Sequence, residues 1–302
     1  EGTKMRVKVC RWIVMRRISL LLIVVWLFTS PVWAQQQDQE QHEPQQQQEG
    51  LAKESQNPIG SLISVPFENN TYFNIGPDDK WANVLNLKPV YPVTFGKLML
   101  INRLTVPFIY LEGQDSTVEQ TTDVGNEELR FSTEDEFGLG NITYQAFFRP
   151  AQPGKIIWGL GPVLQVPSNT DEKLGVDRWS AGPTFVALVK PGKWLFGFLT
   201  QNIWDFAGES GEPDVNEFSF QYFINYNLDK GWYLSSTPTI SADWEADEDE
   251  RWTVPFGGGV GRLVRFGKQP VDFKLQAFYN VEKPKFGPDW ALQFQVKLLF
   301  PK

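Results

Sequence analysis

The clearest pattern in this sequence is an alternation of apolar and polar residues in stretches of about ten residues. Residues 218–228, 271–282 and 290–300 each place mostly apolar side chains at every second position and mostly polar ones between them. A period of two puts the two sets on opposite faces of a β-strand. Twelve such strands are predicted, at 61–69, 83–93, 98–110, 139–149, 156–166, 178–189, 193–205, 218–228, 232–244, 251–264, 271–282 and 290–300. Three consecutive glycines at 257–259 predict a bulge or a tight bend.

The connections between these strands alternate between two kinds. Residues 94–97, 150–155, 190–193, 229–231 and 265–270 are short, mostly basic and contain Gly or Pro. Residues 76–79, 112–137, 170–173, 209–214, 245–250 and 283–289 are mostly longer and acidic. Outer-membrane barrels have short periplasmic turns and longer outer loops, which alternate along the chain. We therefore predict an all-β fold, an up-and-down antiparallel transmembrane β-barrel of about twelve strands.

The positions of the tryptophans agree with a barrel in a membrane. An indole at a strand end can keep one edge in hydrocarbon and its N–H among headgroups, whereas tryptophans of a soluble core would scatter through strand middles. Six tryptophans lie near predicted strand ends: Trp158, Trp179, Trp194, Trp232, Trp252 and Trp290.

The residues before the barrel divide into two segments. Arg16 and Arg17, an apolar run at 18–28 and the small residue Ala34 are typical of a secretory signal peptide, so residues 1–34 are predicted to be cleaved. The apolar run is shorter than the 20 or so residues of a transmembrane helix. Residues 35–57 are rich in Gln and poor in apolar residues, which predicts a disordered periplasmic segment. Residues 58–302 then form the barrel.

Composition excludes several classes of function. Cys10 and His42 are the only cysteine and histidine, and both lie before residue 58. A thiol nucleophile, a disulfide and the histidine-dependent hydrolases are therefore not expected, and neither is a metal or a cofactor. Removing residues 1–34 takes away six basic residues and one acidic residue, so the net charge falls from −8 to −13. Such an acidic chain is a poor nucleic-acid binder.

An acidic run at 247–250 has two interpretations. A solvated loop is the ordinary one. A divalent ion bridging the run to lipopolysaccharide is the other, although the run lacks the spaced ligands and glycine of a known calcium loop.

Charged and amide side chains within the predicted strands fall mainly on the polar face. A Lys or Arg on the lipid face near mid-bilayer costs about 2–4 kcal/mol, so these residues should face the lumen or lie near an interface. They would either pair across a plugged interior or line a narrow pore, because twelve strands lie between a filled barrel of about eight and an open one of about sixteen. The candidate lumen-lining residues are Lys88, Arg103, Arg149, Glu217, Gln221, Asp243, Lys274, Gln276 and Lys297, accompanied by Gln165, Gln293 and Gln295.

Residues 58–302 resemble a bacterial outer-membrane family that is often mislabelled "neuromedin U" and is grouped with the barrels of the MetA pathway of phenol degradation. The matching stretches are SLISVPFENN (61–70), WANVL (81–85), GLGNI (138–142), WSAGP (179–183), NYNLDKGWY (225–233), WEAD (244–247) and GGGVG (257–261). The chain departs from the family at Asn141, where relatives usually carry Asp. The resemblance implies an outer-membrane barrel and the passage of small compounds, hydrophobic ones among them.

These observations favour a narrow channel or transporter in the cell outer membrane. A plugged structural or adhesive barrel is the alternative, and an outer-membrane hydrolase is disfavoured because His42 is the only histidine. The expected partners are outer-membrane lipid and lipopolysaccharide, the barrel-assembly machinery and a small-molecule solute.

Overall fold

Every predicted strand segment forms a strand in the computed structural model, which describes residues 45–122, 125–132 and 134–301. The predicted signal peptide and residues 35–44 lie outside these described residues. Fifteen strand segments form one antiparallel sheet, and β1 (Ile63–Ile75) pairs with β17 (Trp290–Phe300), so that the sheet closes on itself. Where two segments lie in line we count one barrel strand. The result is the closed barrel of twelve antiparallel strands that the sequence predicts.

Nine barrel strands are continuous and three are divided. The continuous ones are β1, β4 (Leu98–Leu111), β9 (Ile156–Val166), β10 (Arg178–Val189), β11 (Trp194–Gly208), β12 (Asn216–Asn227), β15 (Trp252–Phe266), β16 (Gln269–Glu282) and β17. The divided ones are β2 (Lys80–Leu87) with β3 (Val90–Phe95), β7 (Glu136–Leu139) with β8 (Ile142–Pro150), and β13 (Trp232–Ser236) with β14 (Thr239–Asp243). Short 3-10 helices lie at Glu172–Leu174 and Asp229–Gly231.

The two kinds of connection lie at opposite ends of the barrel, as predicted. The short connections form one end, which we call the turn end, and the longer acidic ones form the other, the loop end. The longest loop differs from its prediction, because β5 (Asp115–Thr122) and β6 (Gly125–Ser132) pair within it as a separate two-stranded sheet. The six tryptophans that were predicted to lie near strand ends divide evenly between the two ends of the barrel. Trp158, Trp194 and Trp232 lie at the turn end, and Trp179, Trp252 and Trp290 lie at the loop end.

The polar face of each strand points inward in the regions of clean alternation. In β17, Gln293 and Gln295 are buried, whereas Trp290 and Phe300 at the two strand ends are exposed on the outer face. The same holds in β16, where Gln276 is buried and its neighbour Ala277 is exposed. Within the described part of the chain, no helix has both the length and the apolar character to cross a membrane.

The inward face is not polar all round, which the sequence did not predict. An apolar cluster from β4 and β8–β12 fills the turn-end half of the lumen on one side: Met99, Ile101, Phe147, Ile157, Val186, Leu188, Leu195, Leu199 and Phe223. In these strands both faces carry apolar residues, so the alternation of residue types does not reveal which face is inside. In its turn-end half the barrel interior is therefore mainly apolar on the β8–β12 side, whereas the β15–β17 and β1 side carries most of the buried polar residues.

Part of the segment predicted to be disordered is a helix. Helix α1 (Gln45–Ser55) lies at the turn end, where Leu51 and Ala52 contact Leu263 and Leu299 on the inner face of the barrel. Ile59, a few residues further on, is completely buried in the apolar cluster. The composition of residues 35–57 is too polar for independent folding, but the lumen supplies the apolar surface that the segment lacks.

Candidate functional site

Three cavities follow one another along the barrel interior. The basic chamber, of about 110 Å³, lies at the turn end beside residues 54–62. The central chamber, of about 560 Å³, shares Glu68, Lys88, Arg103, Gln221 and Thr237 with the basic chamber. The loop-end chamber, of about 350 Å³, shares lining residues with the central one in turn. A solute crossing the barrel would pass these chambers in sequence.

The strand register places the charged residues of the basic chamber in neighbouring rows. One row holds Lys274, Gln295 and Glu68 on β16, β17 and β1. Lys88 Nζ donates to Glu68 Oε1 at 2.5 Å, and Gln295 Nε2 donates to Glu68 Oε2 at 3.1 Å. The next row toward the turn end pairs Lys297 with Asp272 on β16.

A row of amide side chains lies next to these charges on the side toward the loop end. Gln276 Nε2 donates to Gln293 Oε1 at 2.8 Å, and Gln293 Nε2 donates to Asn70 Oδ1 at 3.0 Å. Asn70 in turn donates to Glu68 at 3.4 Å. Because each amide both donates and accepts, the row satisfies its own polar groups inside the barrel and fixes the side chains in place.

The boundary between the basic and central chambers is formed partly by a break in a strand. β13 ends at Ser236 and β14 begins at Thr239, because Pro238 has no N–H for the ladder. Thr237 is held by lumen side chains instead: its N–H donates to Gln276 Oε1 at 3.1 Å, and its carbonyl accepts from Gln221 Nε2 at 3.2 Å. The main chain at this break therefore takes part in the wall of the passage.

The glycine run opposite this break differs from its prediction. β15 continues through Gly257–Gly259, and its register shift against β16 lies at Val254/Pro255 instead. A Cβ atom at Gly257 or Gly259 would overlap a carbonyl oxygen of β16. The glycines are therefore required for close approach of two backbones.

The N-terminal segment is fastened to the turn end by polar contacts. Lys190 Nζ contacts Glu54 Oε2 at 2.7 Å, and Lys53 donates to the carbonyl of Gly192. Lys297 Nζ donates to the carbonyl of Ser55 at 2.7 Å. Together with the buried side chain of Ile59, these contacts hold residues 51–62 as a plug that fills the turn end of the lumen.

The loop-end chamber has the opposite charge. Glu217 and Asp243 lie directly opposite each other on β12 and β14, and Gln165 and Glu250 line the same chamber. Arg251 is the basic residue of that lining. The passage is therefore acidic near the loops and basic near the plug.

Contacts between loops tie the loop end together. Asp289 accepts from Asn74 Nδ2 at 2.9 Å and forms an ion pair with Lys283 at 2.9 Å. These contacts hold the pKa of Asp289 below its ordinary value. Phe73 stacks on Trp290 at 4.0 Å beside them, so the loops join where the barrel closes.

The structure brings some of the predicted lumen residues together and separates others. Lys88, Arg103, Gln221, Lys274 and Lys297 line the basic chamber. Glu217 and Asp243 lie in the loop-end chamber, and Gln276 belongs to the amide row.

Arg149 lines none of the three chambers. It is buried toward the turn end, where it donates to Pro150 O and Met99 Sδ. Sequence reasoning missed Glu68 and Asn70, although both lie on the polar face of the first strand, and it missed Thr237 and the plug.

Comparisons with known proteins agree with this architecture. Residues 79–296 match the family model described as "Putative MetA-pathway of phenol degradation". The COG4313 outer membrane channel from Pseudomonas putida F1 is similar in structure, with a TM-score of 0.58, 18% identity, and coverage of 81% of this chain and 97% of that one. No match is found among curated proteins.

Two further structures are more distant. The translocator domain of the autotransporter NalP from Neisseria meningitidis has a TM-score of 0.40 and 10% identity, covering 85% of this chain and 95% of that one. The CymD monoaromatic hydrocarbon channel has a TM-score of 0.36 and 10% identity, covering 83% and 91%. Both TM-scores lie below 0.5, so the comparison of folds rests on the COG4313 channel.

Proposed function

Because the chain belongs to the family described as the putative MetA-pathway of phenol degradation and forms an outer-membrane β-barrel, we propose that it is a narrow channel for small hydrophobic compounds. The observation that carries this proposal is the series of three cavities along the lumen, which extends from the loop end to the plug. A barrel that served only as a structural element would gain stability from a filled interior.

The lining of the passage supports a hydrophobic solute. Phe223 and Leu299 line the basic chamber, and Leu199 and Phe278 line the central one, among polar neighbours. Binding sites for small molecules commonly combine apolar walls with a few placed polar groups. The similar structure from Pseudomonas putida is itself described as a channel, which is consistent with this use of the fold.

The plug favours a second candidate function. Residues 51–62 fill the turn end, so a barrel whose plug never moves would be a structural or adhesive barrel without transport. Conductance of the purified protein in planar bilayers separates the two functions. A channel shows discrete openings above the bilayer background, whereas a permanently plugged barrel shows none.

The remaining features of the proposal concern chemistry and partners. We propose that the protein acts without catalysis, since histidine-dependent hydrolases need a positioned imidazole and the only histidine, His42, lies in the Gln-rich tract before the barrel. Its outer apolar surface would contact outer-membrane lipid and lipopolysaccharide, and its assembly would need the barrel-assembly machinery. Among the described residues, no group of three His, Cys, Asp or Glu side chains could hold a metal ion.

A further inference from the structure

The basic chamber contains more positive than negative charge. Four cationic side chains line it, Lys88, Arg103, Lys274 and Lys297, against the two carboxylates of Glu54 and Glu68. Both carboxylates are already paired: Glu68 accepts from Lys88 at 2.5 Å, and Glu54 pairs with Lys190 at 2.7 Å. Three cations therefore remain.

These three cations form no ion pair with any residue that the structure describes. Lys274 Nζ donates to Thr237 Oγ1 at 3.3 Å, and Lys297 Nζ donates to the carbonyl of Ser55. Arg103 has a buried Nη1 that finds no hydrogen-bond partner among the described residues. Asp272 lies opposite Lys297 and adds a negative charge beside the chamber, while its oxygens accept from Tyr233 at 2.9 Å and Ser55 at 3.3 Å, so positive charge still exceeds negative charge here.

Unpaired cations inside a barrel are costly unless an anion accompanies them. Burial of a charge without a partner costs free energy, and the cost is offset when a counter-charge accepts its hydrogen bonds. A carboxylate suits this site because an arginine fork and lysine ammonium groups donate to its two oxygens. The free Nη1 of Arg103 supplies one such donor at the boundary with the central chamber.

The chamber also has an apolar wall. Leu62, Val90, Phe223 and Leu299 lie among the cations. Its volume of about 110 Å³ is small, but it adjoins the central chamber of about 560 Å³. A ligand with one anionic group and a compact apolar body would find a partner for each part of its structure.

The distribution of charge along the passage favours an anionic ligand only in the basic chamber. Glu217 and Asp243 would repel an anion at the loop end, whereas Arg103, Lys274 and Lys297 would attract it near the plug. We propose that the basic chamber is a binding site for small organic acids that carry one carboxylate on an apolar body. This inference rests on the proposed channel function, because it names the class of solute that would pause in the lumen.

Calorimetric titration of the purified full-length protein in detergent tests the proposal. Benzoate is the probe, and benzyl alcohol is its uncharged counterpart. The variants are Arg103→Gln and Lys274→Gln, with Lys155→Gln as the matched control, since Lys155 is exposed in a turn. The migration of unboiled samples on gels establishes whether each variant is folded. If Arg103→Gln does not assemble, Lys274→Gln alone tests the contribution of the lumen cations.

We expect benzoate to bind more tightly than benzyl alcohol. Loss of one charged hydrogen bond should weaken benzoate binding about tenfold in the lumen variants, and Lys155→Gln should leave it unchanged. Equal binding of the two probes, or equal effects of the lumen and control variants, would overturn the proposal. Competition by inorganic phosphate as strong as that by benzoate itself would also overturn it, since the apolar wall would then play no part.

Failure of this proposal can be told apart from failure of the channel function. The titration measures binding in the absence of transport, so benzoate binding without conductance would remove only the channel function. Conductance without preferential benzoate binding would remove only the acid-binding site.

Discussion

Ile59 is the side chain whose truncation should most clearly release the plug. It is completely buried in the apolar cluster of the lumen, and it anchors residues 51–62 between the barrel walls. Replacing a buried Ile by Ala costs about 2–5 kcal/mol, because apolar contacts are lost and a cavity remains. Since Ile59 belongs to the plug, this cost falls on the attachment of the plug to the barrel. The barrel strands and their hydrogen bonds are unchanged.

The expected result follows from the size of that cost. Each 1.4 kcal/mol or so changes an equilibrium tenfold, so Ile59→Ala should raise the ratio of released to seated plug about 30-fold or more. Ile59→Val removes a single methyl group and should cost about 0.5–1.5 kcal/mol, which gives about a two- to tenfold rise. The two variants therefore form a graded pair with the same side-chain chemistry.

Two assays measure release of the plug. Planar-bilayer recordings should show open time that increases from the original protein to Ile59→Val and then to Ile59→Ala. Trypsin should cleave after Lys53 faster in the same order, because its contact with Gly192 is lost when the helix leaves. Cleavage after Lys173 in a loop is the internal reference. If Ile59→Ala conducts and is cleaved like the original protein, the buried contact does not hold the plug, and the reasoning is refuted.

Three further predictions concern the wall of the passage. Cysteine at Gln221 should react with a water-soluble maleimide and cysteine at Tyr222 should react poorly, because successive residues face lumen and lipid; labelling independent of position would contradict the register. Gly259→Val should reduce the heat-modifiable folded form on gels, since its side chain would overlap the backbone of β16, whereas Gly154→Val in an open turn should assemble normally. Lys274→Glu should shift the reversal potential in a salt gradient toward cation selectivity, and an unchanged potential would place Lys274 outside the ion path.

Much of the barrel could be predicted because its strands alternate in residue type. β12, β16 and β17 carry polar and apolar residues on opposite faces, and their inward faces in the structure are the ones predicted. The regular alternation of short and long connections predicted the up-and-down order of the strands. In β9–β11 the alternation fails, since Leu188 and Leu195 face inward and are as apolar as the lipid-facing residues.

The arrangement within the lumen could be predicted only in part. The phase of a strand tells which face a residue occupies, but it does not tell at what height residues of distant strands meet. Arg103 and Lys274 both line the basic chamber, whereas Glu217 lines the loop-end chamber. Arg149 lines neither of these chambers. The sequence alone also indicates disorder for residues 51–57 of the plug, because Leu263 and Leu299, the apolar partners of Leu51 and Ala52, come from strands far along the chain.

The central claim is that small hydrophobic compounds pass through the lumen, and uptake by intact cells tests it most directly. A strain that lacks the protein is complemented with Gln221→Cys or with the matched control Tyr222→Cys. The uptake of a labelled aromatic compound is then measured before and after treatment with a bulky water-soluble maleimide. Gln221 lies at the boundary of the basic and central chambers, so its modification narrows the passage. The account predicts that complementation restores uptake and that the maleimide abolishes it in Gln221→Cys alone. Uptake that depends neither on the protein nor on modification of the lumen would contradict it.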